Sequence, residues 1–271
     1  MRMRSRQPNF QYLLDLRHAI GPNYGSEDLC IFLFSLVKRE KPRYVVELGT
    51  GLGVTTAWIA AAMCENGFGT VVTVDNGAHF SAAPRLGERY ALPPSLEALA
   101  GLDYDQLLTQ IFERSGVAAH VKSVRRDIDL VDMRWLDESV GPSEDGDVVA
   151  PIDIVFSDFN HSAATVARIV GAFLPRLASV GSILIDSAST HLMSYYLLEH
   201  LSALLQRGKV PKEILDQVTD ANMRQRVFDR VANSEFRLMH LVEKQDRAQN
   251  STAWLRVEQT SLVPPLAIAL H

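Results

Sequence analysis

Residues 45–53 read Val-Val-Glu-Leu-Gly-Thr-Gly-Leu-Gly: an apolar run, the acid Glu47, then glycines at 49, 51 and 53. A chain leaving a strand must turn sharply here to enter the helical run 54–63. Glycine permits the angles of such a turn and lets a ligand come close to the main chain. Gly49, Thr50, Gly51 and Gly53 therefore suggest a cofactor loop. A phosphate-binding loop would continue into Lys-Ser/Thr, whereas Val54-Thr55-Thr56 follows, and the dinucleotide pattern GxGxxG would need glycine at Val54. Asp75 ends the next apolar run, with Asn76 beside it. A carboxylate at a strand tip can accept both hydroxyls of a ribose, although an aspartate there also commonly caps a turn. Two more polar clusters end apolar runs, Asp158-Phe159-Asn160-His161 and Asp186-Ser187, and they contain groups able to accept or pass on a proton.

These groups must be positioned by the elements around them. From about residue 42, short β-branched runs alternate with longer amphipathic ones, which predicts an α/β fold with a parallel sheet covered by helices. Strands are expected at 44–48, 70–74, 119–124, 152–157 and 182–185, and an antiparallel hairpin from 236–243 and 252–257 around the polar segment 244–251. Helices are expected at 10–19, at 27–38 with Ser26 as cap, and at 163–177. Two long segments leave strand C-termini, the edge where open α/β sheets bind ligands. The first, 76–116, becomes helical over 95–114; the second, 189–234, carries helices at 192–206 and 212–231. Both could shape a substrate pocket or lid, and both could serve as core helices.

The spacing of Glu47 and the three glycines resembles motif I of class I S-adenosylmethionine (SAM)-dependent methyltransferases. The runs 152–161 and 180–187 resemble the corresponding strands of small-molecule O-methyltransferases, so the likeness spans most of residues 40–190. It implies a Rossmann-like fold, a mostly parallel seven-stranded sheet with helices on both faces. It also implies one domain over residues 1–271, with a helical cap at 1–40 and a helical lid at 189–234. SAM is the implied cofactor, with Glu47 toward its methionine ammonium and Asp75 on the ribose. Asp127 would receive the adenine amine, with Asp129 as an alternative. In the metal-dependent catechol-type branch an Asp and an Asp-Asn pair hold Mg²⁺. Asp158 and Asp186 match the aspartates, but Ser187 stands where Asn is expected, a weaker donor set for a cation that prefers hard oxygens. His161 occupies the position of that branch's base, and a neutral imidazole can take a proton from a hydroxyl or amine. A histidine at a helix start can equally make a structural hydrogen bond. Asn160 and Asp158 accompany His161 on the catalytic side. Ser187, His191, Tyr195 and Tyr196 are expected toward the substrate, Tyr195 and Tyr196 also fitting a pattern of one core and one surface residue. His79 lies in the first long loop.

Composition narrows the classes. The chain has 271 residues, 47% of them hydrophobic, and a net charge of −5. That acidity argues against a nucleic acid backbone as partner, and no apolar run is long enough to span a bilayer. Cys30 and Cys64 lie in apolar helical patterns without disulfide or zinc spacing. A cytoplasmic protein acting on a small molecule is expected, with the apolar tail 262–270 able to cover a neighbouring subunit in a homodimer or to pack on its own domain. The leading expectation is methyl transfer to an oxygen or nitrogen of a small metabolite, in secondary metabolism. The incomplete Asp-Asn pair keeps open a SAM-consuming cyclase of the azetidine-2-carboxylate synthase type, which would release methylthioadenosine. An NAD-dependent oxidoreductase lacks its third glycine here, and a non-catalytic SAM-binding protein is the remaining alternative.

Overall fold

The computed structural model describes residues 7–20, 27–81, 86–142, 150–242 and 251–260. The N-terminal half contains α1 (Phe10–Ala19), α2 (Glu27–Glu40), β1 (Tyr44–Leu48), α3 (Val54–Asn66), β2 (Thr70–Asp75), α4 (Ala78–Ser81), α5 (Leu86–Arg89), α6 (Tyr104–Arg114), β3 (Val121–Arg125) and α7 (Arg134–Val140). The rest comprises β4 (Ile152–Ser157), α8 (Ala163–Phe173), β5 (Leu177–Asp186), α9 (Leu192–Leu205), α10 (Lys212–Leu215), α11 (Ala221–Ala232), β6 (Ser234–Val242) and β7 (Ser251–Gln259). The strands join in one sheet of order β3-β2-β1-β4-β5-β7-β6. β7 runs antiparallel to both its neighbours, and the other pairings are parallel. The α/β architecture with a closing hairpin is therefore the one expected.

Strand periodicity divides the core into two layers. Val46, Leu48, Val72, Val74, Val155 and Ile183 face one layer, shared with α7, α8, α9 and α11. Val45, Val71, Ile154, Phe156 and Leu184 face the other, shared with α1, α2, α3 and α6. α3 is buried from Val54 to Cys64, as a helix pressed between the sheet and α2 must be. Glu47 and Thr73 are register partners on this second face, so a carboxylate is carried into an apolar layer directly under the glycine turn.

Several boundaries differ from expectation for identifiable reasons. The single helix expected over 212–231 is two, α10 and α11, because the Asp220 side chain accepts from Met223 N and starts a new helix, while Arg224 holds the Val218 carbonyl. The helix expected over 95–114 begins only at Tyr104, where Asp103 and Gln106 form a capping box; a short 3₁₀ turn, Glu97–Leu99, precedes it. α8 stops at Phe173, giving way to a 3₁₀ turn that contains Pro175, and β5 is ten residues long instead of four. Leu198, Leu201 and Leu205 of α9 and Val227 and Val231 of α11 belong to the core, so the C-terminal halves of both helices are packed elements. The expected cap Ser26, the loop 244–250 and the tail 262–270 lie outside the described residues. Among the described residues, no helix is long and apolar enough to cross a membrane.

Candidate active site

A cleft of about 530 Å³ opens at the C-terminal ends of β1, β2 and β4. Its floor is the turn from β1 to α3. At Gly49 φ is +95°, and an added Cβ would lie 2.4 Å from the Asp158 carbonyl oxygen, so the two strand tips approach as closely as main chains can. The Gly49 amide donates to the Val74 carbonyl at 3.0 Å, fixing the turn to β2 as well. At Gly53, φ +73°, a Cβ would stand 2.8 Å from Leu108 Cδ2; α6 therefore lies directly on the turn.

Glu47 sits beneath this floor. Its Oε2 accepts from the hydroxyls of Thr56 and Thr73, the latter at 2.6 Å, and Thr73 meets Thr50 Oγ1 at 2.6 Å. Oε1 is buried without a hydrogen-bond partner among the described residues. Burial pushes the carboxyl up to about 8, opposed by the two threonine hydroxyls. This shift has a thermodynamic consequence. The raised folded value means that the native protein holds a proton the unfolded chain has released, from the ordinary 4.5 up to about 8. Its stabilising contribution is whole below that window and is lost as pH rises through it. Glu47→Gln should consequently flatten the fall in melting temperature between about pH 5 and about pH 9. Thermal unfolding across that range checks this, and an equally steep fall in the variant would refute it.

Asp75 is shared between two amides: Oδ2 accepts from Gly51 N at 3.1 Å and Oδ1 from Gly77 N at 2.6 Å. Each oxygen of a carboxylate has room for a second donor. Asn76 Nδ2 donates to Asp127 Oδ1 at 2.6 Å, and Asn76 Oδ1 accepts from Ala78 N. Glycine turn, Asp75, Asn76 and Asp127 thus meet along one wall. Asp129 instead folds onto its own loop, accepting from Val131 N and Asp132 N.

At the other end of the cleft stand Asp158, Phe159 and His161. His161 Nε2 is 3.5 Å from Asp158 Oδ1, and its ring stacks on His191 with centroids 4.6 Å apart. Burial, with the neighbouring His191, lowers the His161 value and favours a neutral imidazole. The Ser194 hydroxyl donates to the His161 carbonyl, tying the first turn of α9 to this loop. Asp186 is buried close behind; Thr252 donates to its Oδ1 at 3.2 Å and Ser187 to its Oδ2 at 2.9 Å. Burial raises both Asp158 and Asp186, and the Asp158 charge raises Asp186 further. Ser187 has φ +59°, a left-handed conformation that asparagine adopts more readily than serine.

The remaining expected residues are placed differently. Asn160 is exposed, and its side-chain Oδ1 accepts from Ser162 N and Thr165 Oγ1 at the start of α8. Tyr195 stacks on His240 at 4.1 Å, while Tyr196 is 54% exposed. Neither tyrosine, nor Ser187 or His191, lines the cleft. Sequence reasoning passed over Phe80, Tyr104, Ile128 and Phe159, which do. The capping box Asp103-x-x-Gln106 was the available signal for Tyr104, since it marks where a helix begins at the ligand edge.

A family model described as "Methyltransferase domain" matches residues 46–188, from β1 to just past β5. No match was found among curated protein sequences. Among solved structures, an O-methyltransferase from Bacillus cereus in complex with SAH is 14% identical, with 92% of this chain and 90% of that one covered and a TM-score of 0.51. Cofactor-bound Rv0187 from MTB is 17% identical, covering 93% and 89%, with a TM-score of 0.49. The O-methyltransferase TomG from Streptomyces achromogenes, in complex with SAM, is 14% identical, covering 93% and 88%, with a TM-score of 0.47. At these identities the likeness is one of fold.

Proposed function

The chain belongs to the methyltransferase-domain family, and from that premise we propose that it moves a methyl group from SAM to an oxygen or nitrogen of a small molecule. The observation that carries this reading is the meeting of three features in one cleft: a glycine turn seated on buried Glu47, the half-used carboxylate of Asp75, and a neutral histidine opposite. The residues fit the cofactor. Gly49 and Gly51 leave the loop backbone open to approach, Asp75 retains acceptor capacity for a ribose diol, and Asp127 suits an exocyclic amine. Glu47 Oε1 is buried beneath the turn with no hydrogen-bond partner among the described residues.

When bound, SAM supplies an activated methyl on a sulfonium, so the protein mainly has to align nucleophile and methyl. Gly49–Gly53 and Asp75 hold one partner; the wall of Asp158, Phe159 and His161 bounds the acceptor side. His161 Nε2, kept neutral by burial, takes the acceptor's proton as it attacks. The Asp158 carboxyl next to it steadies the resulting imidazolium.

The donor set does not complete a Mg²⁺ site. The Ser187 hydroxyl is turned onto Asp186 Oδ2, so it does not stand as a third oxygen donor beside the two aspartates. Among the described residues no group of three His, Cys, Asp or Glu could hold a metal ion. We therefore assign no step to a metal.

The test is to incubate the protein with SAM, with and without candidate hydroxyl and amine acceptors, and to identify the adenosyl product. S-adenosylhomocysteine formed only with an acceptor supports the proposal, whereas methylthioadenosine formed without one would replace it with cyclisation. Within this reading, His161→Ala should lower kcat by roughly 10²–10³ with little change in SAM affinity. An unchanged kcat would remove His161 from the chemistry.

A further inference from the structure

We propose that Tyr104, delivered by α6 from the segment between β2 and β3, is a cofactor-binding residue whose hydroxyl bonds a ribose hydroxyl of the adenosyl ligand beside Asp75. This rests on the SAM reading of the cleft and extends it to an element outside the glycine turn.

Tyr104 lines the cleft, is only 4% exposed, and its hydroxyl is buried with no hydrogen-bond partner among the described residues. Such a group is costly to leave unsatisfied, by about 1–3 kcal/mol, which makes it a place where a ligand atom gains. Thr50 lies close enough to hold the phenol down against its burial, yet no hydrogen bond of good geometry joins the two hydroxyls, and the phenol oxygen keeps acceptor capacity for a ligand hydroxyl. Burial, with Asp75 and Glu47 adding to it, raises the phenol, so it keeps its proton. A phenol among carboxylates best meets a group that can both give and accept, as a ribose hydroxyl does.

The ring is held as a binding residue must be. Phe80 packs on it with centroids 5.4 Å apart, and the Arg125 guanidinium lies 4.4 Å from its centroid. The capping box at Asp103 and Gln106 fixes the first turn of α6, and Leu108 and Phe112 of the same helix rest against Gly53. Helix, glycine turn and tyrosine therefore form one rigid wall, with Tyr104 set before any ligand arrives.

The experiment compares full-length wild type with Tyr104→Phe, which keeps the ring and removes only the hydroxyl. SAM and S-adenosylhomocysteine are titrated by calorimetry, and thermal unfolding is followed without ligand. We expect Kd to rise about tenfold for both ligands, with the ligand-free melting temperature unchanged or higher, because an unsatisfied hydroxyl has gone. An unchanged Kd overturns the proposal. So does a lower ligand-free melting temperature, since the hydroxyl would then be serving Thr50 and the fold. A loss confined to SAM overturns the ribose assignment, because the two ligands share that ribose. If wild type binds neither ligand, the SAM reading itself fails; if wild type binds and the variant binds equally, only the Tyr104 assignment does.

Discussion

Asp75→Ala should weaken SAM binding about a hundredfold and lower the melting temperature of the ligand-free protein at the same time. The two effects have one origin. The Asp75 carboxylate is the acceptor for Gly51 N at 3.1 Å and for Gly77 N at 2.6 Å, so it joins the glycine turn to the loop after β2. Alanine leaves both amides without that acceptor, roughly 1–3 kcal/mol of lost stability for each that finds no water. It also removes the charged partner for the ribose diol, and two charge-assisted bonds together account for about 3 kcal/mol, the energy of a hundredfold change in Kd. Calorimetric titration and thermal unfolding of the same preparation read both quantities. A variant within threefold of wild type in Kd would show that Asp75 only holds the loops.

Gly49→Ala tests the other half of the cradle and should be the more damaging to the fold. The substitution meets two penalties. The left-handed region costs an L-residue about 1–2 kcal/mol. The new Cβ would also stand 2.4 Å from the Asp158 carbonyl oxygen and 2.9 Å from Phe159 Cβ. The nearest of these are main-chain atoms at the tip of β4, which cannot rotate away, and overpacking of this kind adds about 1–3 kcal/mol. A total near 4 kcal/mol corresponds to a fall in melting temperature of roughly 10 °C for a chain of this size. Gly67→Ala supplies the control, since Gly67 has φ +80° but nothing within 4 Å of an added Cβ. Gly67→Ala should show the backbone penalty alone. Equal losses in the two variants would mean that the close approach of β1 and β4 is not what requires glycine.

These residues were legible because their signals are local. An acid, a run of alternating glycines and a carboxylate at the next strand tip occupy short stretches, and the strand pairing that joins them follows from the alternation of strands and helices. Residues whose roles depend on packing were not legible. The hydropathy pattern of 212–231 continues across the break at Asp220, so a cap inside an amphipathic run looked like one helix. Asn160 stands between Asp158 and His161, which suggests chemistry, yet its side-chain Oδ1 serves the α8 terminus. Tyr195 and Tyr196 share a helix near the site, but which face each occupies is set by His240 on β6, far away in sequence. Tyr104 comes from an insertion whose only clue was a helix start, and its approach to Asp75 required the whole of α6 to settle on Gly53. The departure at Ser187 was visible as a letter; that its hydroxyl turns inward onto Asp186 was not.

The central claim is that the cleft over Glu47 and Asp75 is a SAM site. Calorimetric titration of SAM into the wild-type protein, repeated with Asp75→Ala, tests it most directly. The account predicts saturable binding at one site per chain, weakened about a hundredfold in the variant. No binding by wild type would contradict it.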